Sequence, residues 1–186
     1  MKLNNAIQNR WSPHLFSAQE VTKEMIELLF EAARRAPSSM NEQPWKYYFV
    51  HRNNLKKFSE AVELLTGNNP GWAQHSQVLI ISVMKKNFDY KNRPNEKALH
   101  DIGAANISIA IQAAEMGLQV HQMGGFDNVK TVEFLHLDTE NFEPVTIIAV
   151  GFPGDEEHLT EELKQKELRS RKRKEIGEFV TELRSE

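Results

Sequence analysis

Seven residues near the middle of the chain, Val78-Leu79-Ile80-Ile81-Ser82-Val83-Met84, form the stretch that says most about the fold. The run is apolar except for one serine and is rich in β-branched residues. An uninterrupted run of this kind predicts a β-strand that is covered on both faces and lies in the middle of a sheet. The segment from Pro144 to Phe152 has the same character and predicts a second buried strand.

Between these two strands, the segment from Glu96 to Met116 has the pattern of a long helix. Apolar residues recur at helical spacing, at positions 99, 102, 105, 109, 113 and 116, and small residues lie between them. Small residues permit the close approach of another helix, and the apolar surface is wider than one helix face. We therefore expect the longest and most buried helix here, either at the centre of the monomer or in a dimer core. Gly117 predicts its end.

Shorter patterns predict the remaining elements of the fold. Helices are predicted from Ser17 or Thr22 to Arg35, from Asn53 or Asn54 to about Thr66, and at 128–135, 160–167 and 176–183. Strands are predicted at 47–50 and 118–123. Together these elements predict an α+β fold in which helices sandwich a central sheet.

The size and composition of the chain are those of one globular domain, covering residues 1–186. Hydrophobic residues make up 40% of the chain and charged residues 26%, which excludes a disordered or fibrous protein. Cysteine is absent, and this excludes disulfides, thiolate metal sites and a cysteine nucleophile. No apolar run is long enough for a signal peptide or a bilayer span, so we expect a cytoplasmic protein without a membrane partner.

The stretch Arg35-Ala36-Pro37-Ser38-Ser39-Met40-Asn41-Glu42-Gln43-Pro44-Trp45 joins a predicted helix to a predicted strand. Its hydroxyl groups, carboxamides and free backbone N–H groups suit the binding of a polar heterocycle. A helix-stop turn, in which Ser38 and Asn41 bond only to their own backbone, explains the same residues. On this stretch alone the turn is the better explanation, and only the other motifs favour a binding loop.

Two pairs of residues near the two ends of the chain suit an anionic group. Arg10 and Ser12 are two residues apart in an extended segment, so both point to one side and offer a phosphate a guanidinium and a hydroxyl. Arg171 and Arg173 have the same spacing, in a run with five cations between 169 and 174. A short basic run between acidic segments suits a single phosphate, although a solvated tail explains it equally well. Nucleic acid is not expected, since the positive charge is not spread over a face.

The stretch Met123-Gly124-Gly125-Phe126-Asp127 follows a predicted strand. Consecutive glycines allow the backbone to approach a flat ligand, because no Cβ atom intervenes. An ordinary strand-to-helix turn is an equally good explanation.

In their order and spacing over nearly the whole chain, these motifs resemble the FMN-dependent nitroreductase family of NAD(P)H-dependent flavoproteins. Trp11 stands where the family often has a basic residue, and His14 stands where Arg or Lys is usual; a histidine there would make phosphate affinity depend on pH. Gln43 is a weaker candidate. The resemblance implies FMN contacts at Arg10, Trp11, Ser12, His14, Pro37, Ser38, Ser39, Asn41, Met123, Gly124, Gly125, Arg171 and Arg173.

The same resemblance implies a mostly antiparallel sheet, a long buried central helix, and a homodimer with FMN at its interface and the C-terminal segment reaching across. It also implies a ping-pong reaction in which NADH or NADPH reduces the flavin by hydride transfer to N5. Electrons then pass to a small-molecule acceptor, such as a nitroaromatic compound or a quinone. Because the flavin carries the chemistry, no catalytic side chain is expected. The alternative is a non-catalytic flavin-binding protein, since 186 residues is compact for the family.

Motifs of other chemistries are missing. The seven histidines show no His-x-x-x-His spacing, so no metal site is expected. Serine-hydrolase, P-loop and Rossmann glycine motifs are absent. Asp101 is expected to act as a first-turn acid that the helix dipole stabilises, rather than as part of a proton relay.

Overall fold

The computed structural model describes residues 1–155, 161, 164, 165, 167 and 172–183. The α-helices in residues 1–155 are α1 (Asn5–Asn9), α2 (Lys23–Arg34), α3 (Leu55–Val62), α4 (Asn69–Ala73), α5 (Ala98–Glu115) and α6 (Asn128–Leu135). The strands are β1 (Trp45–His51), β2 (Val78–Lys85), β3 (Gln119–Met123) and β4 (Phe142–Gly151), and short 3-10 turns lie at Ser39–Asn41, Tyr90–Asn92 and Ile176–Glu178. Within the described ranges, none of the helices has both the length and the apolar character that crossing a membrane requires.

The four strands form one antiparallel sheet in the order β1-β2-β4-β3. The two runs predicted to be buried strands are its two central members, β2 and β4. Leu79 pairs with Ala149 and Ile81 pairs with Ile147. Because alternate side chains of a strand point to opposite faces, each central strand contributes to two separate cores.

Helices cover both faces of this sheet, as predicted. On one face, α2 and α5 pack against the strands, and Leu29, Ile80 and Ile109 are buried in this cluster. On the other face, α3, α4 and α6 cover the sheet, with Phe58 and Leu79 in the second cluster. The α+β fold with a sandwiched antiparallel sheet is therefore confirmed.

Helix α5 is the longest helix of residues 1–155, and a buried polar network fixes it to the sheet. The Tyr47 hydroxyl donates to Asn106 Oδ1 on α5 (2.8 Å), and Asn106 Nδ2 donates to Ser82 Oγ on β2 (3.2 Å). Burial raises the pKa of the Tyr47 phenol, so the hydroxyl stays protonated and keeps its role as donor. The opposite side of α5 is not covered by any residue that the structure describes, because Leu99 and Ile107 are exposed.

Two local predictions are wrong. The helix predicted to reach Thr66 ends at Val62, because the chain then turns and the Thr66 N–H donates to the Gly125 carbonyl (3.0 Å). The helix predicted at 176–183 is a single 3-10 turn with Glu175 as its cap. Short helices depend on tertiary packing, and every residue of 172–183 is exposed. The helix predicted at 160–167 lies mostly outside the described residues.

Helix α1 was not predicted, because it is only 5 residues long and carries little periodic signal. The Asn4 side chain caps it by accepting from the Ala6 N–H (2.9 Å). The helix packs against α5. Its end at Asn9 delivers the chain directly into the Arg10 segment.

The segment after α1 is held across the end of β4 by backbone pairing. The Ser17 N–H donates to the Phe152 carbonyl (2.9 Å), and the Gly154 N–H donates to the Leu15 carbonyl (2.9 Å). The approach is so close that a Cβ atom on Gly154 would lie 2.5 Å from Leu15 Cγ. Glycine is therefore required at position 154 for the N-terminal segment to pack.

We expect Gly154→Ala to destabilise the protein by about 1–3 kcal/mol, the usual cost of overpacking. Thermal or urea unfolding measures this. Gly71→Ala is the matched control, since a Cβ atom there meets no atom within 4 Å. Equal stability of the two variants would contradict the close packing of residues 15 and 154.

Candidate functional site

A cavity of about 760 Å³ lies at the C-terminal end of α5 and is lined by one arginine from each of the two predicted cation segments. Arg10 and Arg173 line it together with Trp11, Ala114 and Gly117. Arg10 Nη1 lies 3.4 Å from Ser12 Oγ, so the predicted guanidinium and hydroxyl are adjacent. The structure thus brings together residues from opposite ends of the chain. Arg171 lies outside the described residues.

The Arg10 segment is positioned by Gln119, a buried residue at the start of β3. Gln119 Oε1 accepts from the Trp11 N–H (3.1 Å), and Gln119 Nε2 donates to the Asn9 carbonyl (3.1 Å). These two bonds hold the backbone on either side of Arg10. Sequence reasoning missed Gln119, because a single glutamine in a strand carries no motif.

The electrostatics of this cavity favour an anion. Burial, followed by the positive charge of Arg173, lowers the pKa of Arg10. Two like charges that are partly removed from water repel each other, and a bound dianion would offset that repulsion. Arginine and hydroxyl donors of this kind are suited to phosphate.

We expect inorganic phosphate to raise the melting temperature of the wild-type protein, because the anion stabilises the folded state that binds it. Arg10→Gln and Arg173→Gln should each weaken phosphate binding about tenfold, the usual effect of losing one charged hydrogen bond. Thermal shift at increasing phosphate concentration measures this. The control is Lys172→Gln, which removes the same charge from an exposed neighbour. An equal loss of phosphate affinity in all three variants would contradict a specific site, because it would show that binding depends only on the net charge of the protein.

His14 lies in an aromatic cluster and does not line the cavity of Arg10. Its ring lies 5.1 Å from the Trp72 ring and 4.8 Å from the His121 ring, centroid to centroid. Glu167 Oε1 accepts from the His14 N–H (2.7 Å) and lies 3.7 Å from His14 Nδ1. A contact of His14 with a cofactor phosphate therefore stays a prediction.

The predicted binding loop lies at the other end of α5, beside a cavity of about 460 Å³. Pro37, Ser38, Ser39, Lys97, His100 and Asp101 line this cavity. The Ser38 hydroxyl accepts from the Gln43 N–H (2.9 Å), which is the local bond of a helix-stop turn. The structure therefore contains part of the predicted helix-stop turn. Ser38 and Ser39 nevertheless line the cavity, where a ligand can reach them.

The backbone of this loop is strained. Met40, Asn41 and Gln43 have φ angles of 55°, 56° and 51°, in the left-handed region that residues other than glycine seldom occupy. Such conformations cost free energy and persist only where the surrounding structure imposes them, commonly at functional sites. The positions of these residues therefore support a specialised role for the loop.

The two glycines of the mid-chain motif have different surroundings. A Cβ atom on Gly125 would lie 2.8 Å from Asn69 Nδ2, and the Gly125 carbonyl accepts from that same nitrogen (3.1 Å). Packing against the start of α4 therefore explains Gly125 without a ligand. A Cβ atom on Gly124 would meet no atom within 4 Å, so only Gly124 is open to a ligand. Met123 is buried in the second core cluster.

The two cavities are not brought together within one chain. One borders Ala114 and Gly117 and the other borders Lys97 and Asp101, at opposite ends of α5. At a rise of about 1.5 Å per residue, Asp101 and Ala114 are separated by roughly 20 Å along the helix axis. One phosphate cannot contact both groups of residues. Among the residues that the structure describes, no group of three or more His, Asp or Glu side chains is arranged to hold a metal ion.

Comparison with known proteins assigns the family. The model of the nitroreductase family matches residues 7–152, and the chain therefore belongs to the nitroreductase family. A protein of Archaeoglobus fulgidus, named as a candidate NADH dehydrogenase/NAD(P)H nitroreductase, is 28% identical over 83% of this chain and 87% of its own length. The predicted family is thereby confirmed.

Solved structures show the same fold. An oxidoreductase containing FMN has a TM-score of 0.91 and 29% identity, covering 99% of this chain and 93% of its own. A protein of Desulfovibrio desulfuricans, described as a candidate nitroreductase and solved in complex with FMN, has a TM-score of 0.73 and 19% identity, covering 97% of this chain and 96% of its own. The antiparallel sheet with helices on both faces is therefore the fold of this family.

Proposed function

We propose that the protein is an FMN-dependent oxidoreductase that takes electrons from NADH or NADPH and passes them to a small-molecule acceptor, such as a nitroaromatic compound or a quinone. The observation that carries this proposal is the convergence of Arg10 and Arg173 at one cavity, with the Ser12 hydroxyl 3.4 Å from Arg10 Nη1. The similarity to an oxidoreductase containing FMN, over 99% of the chain, supports the choice of cofactor. The absence of cysteine accords with a cytoplasmic location.

The residues of the site fit the parts of FMN. The guanidinium groups of Arg10 and Arg173 and the hydroxyl of Ser12 are donors for its phosphate, and Ser38 and Ser39 offer hydroxyls for its polar groups. Gly124 leaves the backbone accessible to a flat ring system. When bound, FMN supplies hydride transfer through N5 in a ping-pong cycle, and the protein supplies orientation and charge.

We further propose that the site is completed in a homodimer. The phosphate donors and the Ser38-Ser39 loop lie at opposite ends of α5, and we infer that a second copy provides one of the two groups. Leu99, Gly103 and Ile107 recur every four residues on the exposed side of α5, and this stripe suits helix packing between subunits. In the C-terminal segment, Ile176, Phe179, Val180 and Leu183 are also exposed, as is expected of a segment that packs on a partner.

The position of Arg173 bears on which subunit supplies the basic run to each FMN site. The family resemblance implied that the C-terminal segment reaches across the dimer, which would place the basic run at the partner's flavin. Arg173 lies beside Arg10 of the same chain. We therefore assign the phosphate donors of each site to one subunit and the Ser38-Ser39 loop to the other.

We expect Ile107→Glu to convert the dimer to a monomer, because a charge would be buried in the helix interface. FMN affinity should fall by about tenfold or more, since the partner's donors are lost with it. Light scattering and fluorescence titration measure the two effects. Val129→Glu, a substitution at an exposed position of α6, is the control and should change neither. A monomeric Ile107→Glu variant with wild-type FMN affinity would contradict a shared site.

The decisive experiment on the function is a spectrum of the purified protein with FMN, followed by anaerobic addition of NADH and of NADPH. We expect the absorption bands of oxidised flavin to bleach with at least one nucleotide and to return when a quinone is added. A protein that binds FMN without bleaching would support the alternative, a non-catalytic flavin-binding protein. A protein that does not take up FMN would refute both. The compact length does not favour the alternative, since this chain covers 93% of the oxidoreductase containing FMN.

A further inference from the structure

Asp101 is a buried carboxylate that the flavin chemistry does not require. It lies in the first turn of α5 and is 4% exposed. Oδ2 accepts from the Ser39 N–H (2.9 Å), and Oδ1 lies 3.2 Å from His100 Nδ1. Both oxygens are thus engaged, and the positive end of the helix dipole stabilises the charge. Burying a charge is costly unless the group is hydrogen-bonded, and the contacts with Ser39 and His100 provide such partners.

The bond to Ser39 crosses between two distant parts of the chain, the binding loop and α5. Ser39 begins the 3-10 turn that contains the left-handed residues Met40 and Asn41. Left-handed residues relax to ordinary conformations unless other contacts hold them. The Asp101 carboxylate is a charged acceptor, and hydrogen bonds to charged groups are stronger than neutral ones.

A second contact holds the far end of the same loop. Glu42 Oε1 accepts from the Asp89 N–H (2.7 Å) and from Lys85 Nζ (3.3 Å), and Lys85 also contacts Asp89. The loop is therefore fixed on both sides of Met40 and Asn41, two of its strained residues. Only the Asp101 contact lies inside the cavity that Ser38 and Ser39 border.

We propose that Asp101 is a positioning residue for the cofactor, which holds the Ser38-Ser39 loop in its binding conformation from the first turn of α5. This inference rests on the proposed FMN function. Since Asp101 engages the Ser39 backbone, the Ser39 side chain remains available to a ligand. Asp101 is also two residues from Leu99, so it links the loop to the exposed stripe of α5.

The test compares Asp101→Ala and Asp101→Asn with the control Glu96→Gln, which neutralises an exposed acid just before α5. Hydrogen exchange at residues 38–43 is measured without FMN, and FMN affinity is measured by fluorescence titration. Asp101→Ala should speed exchange of the Ser39 amide and weaken FMN binding, each about tenfold or more. Asp101→Asn should retain part of the protection of the Ser39 amide and part of the FMN affinity, since its carboxamide oxygen can still accept a hydrogen bond from the Ser39 N–H. Glu96→Gln should behave as the wild type.

Unchanged exchange at Ser39 in Asp101→Ala would overturn the inference, and so would faster exchange with wild-type FMN affinity. If Asp101→Ala does not fold, Asp101→Asn decides, because it keeps the shape of the side chain while it removes the charge and one of the two acceptor oxygens. Failure of the proposed function is distinguishable: the wild-type protein itself would then not bind FMN. Exchange at Ser39 would still report whether Asp101 holds the loop.

Discussion

The packing of α5 against the central strands determines where both parts of the candidate site lie. Ile109 is fully buried in the first core cluster, and the hydrogen bonds from Tyr47 to Asn106 and from Asn106 to Ser82 fix the rotation of the helix. One end of the helix then borders the cavity of Arg10 and Arg173, and the other carries Asp101 against the Ser39 backbone. A small shift of α5 would therefore displace both groups of residues at once, because packed interiors transmit displacement.

Much of this fold could be predicted from the sequence, because its main signals are local. The apolar run of β2 and the periodicity of α5 each lie within one continuous segment, and both were located to within two residues. The elements that escaped prediction depend on tertiary contacts. The chain turns away after Val62 because Thr66 bonds to Gly125, and the turn at Ile176 does not extend because no described residue covers it.

Only part of the candidate site could be predicted, again because the remaining features depend on tertiary contacts. The family resemblance placed Arg10 and Arg173 in one site, and the structure brings them to one cavity. It could not reveal that His14 packs against Trp72, because that contact depends on where α4 lies. Nor could it separate the two glycines, since Gly125 is explained by its neighbour Asn69. Neither Gln119 nor the contact of Asp101 with the Ser39 backbone has a motif in the sequence, and only the hydrogen bonds identify them.

The separation of the two donor groups along α5 has a consequence for the living cell. In the proposed homodimer, a cofactor held by two chains at once would bind only to the assembled pair, so mass action would couple its affinity to the amount of protein present. At low expression, dilution would release FMN and subunits together. At high expression, the cofactor would in turn hold the subunits together. The fraction of protein that carries FMN would then rise more steeply with protein concentration than in an enzyme whose site lies within one chain.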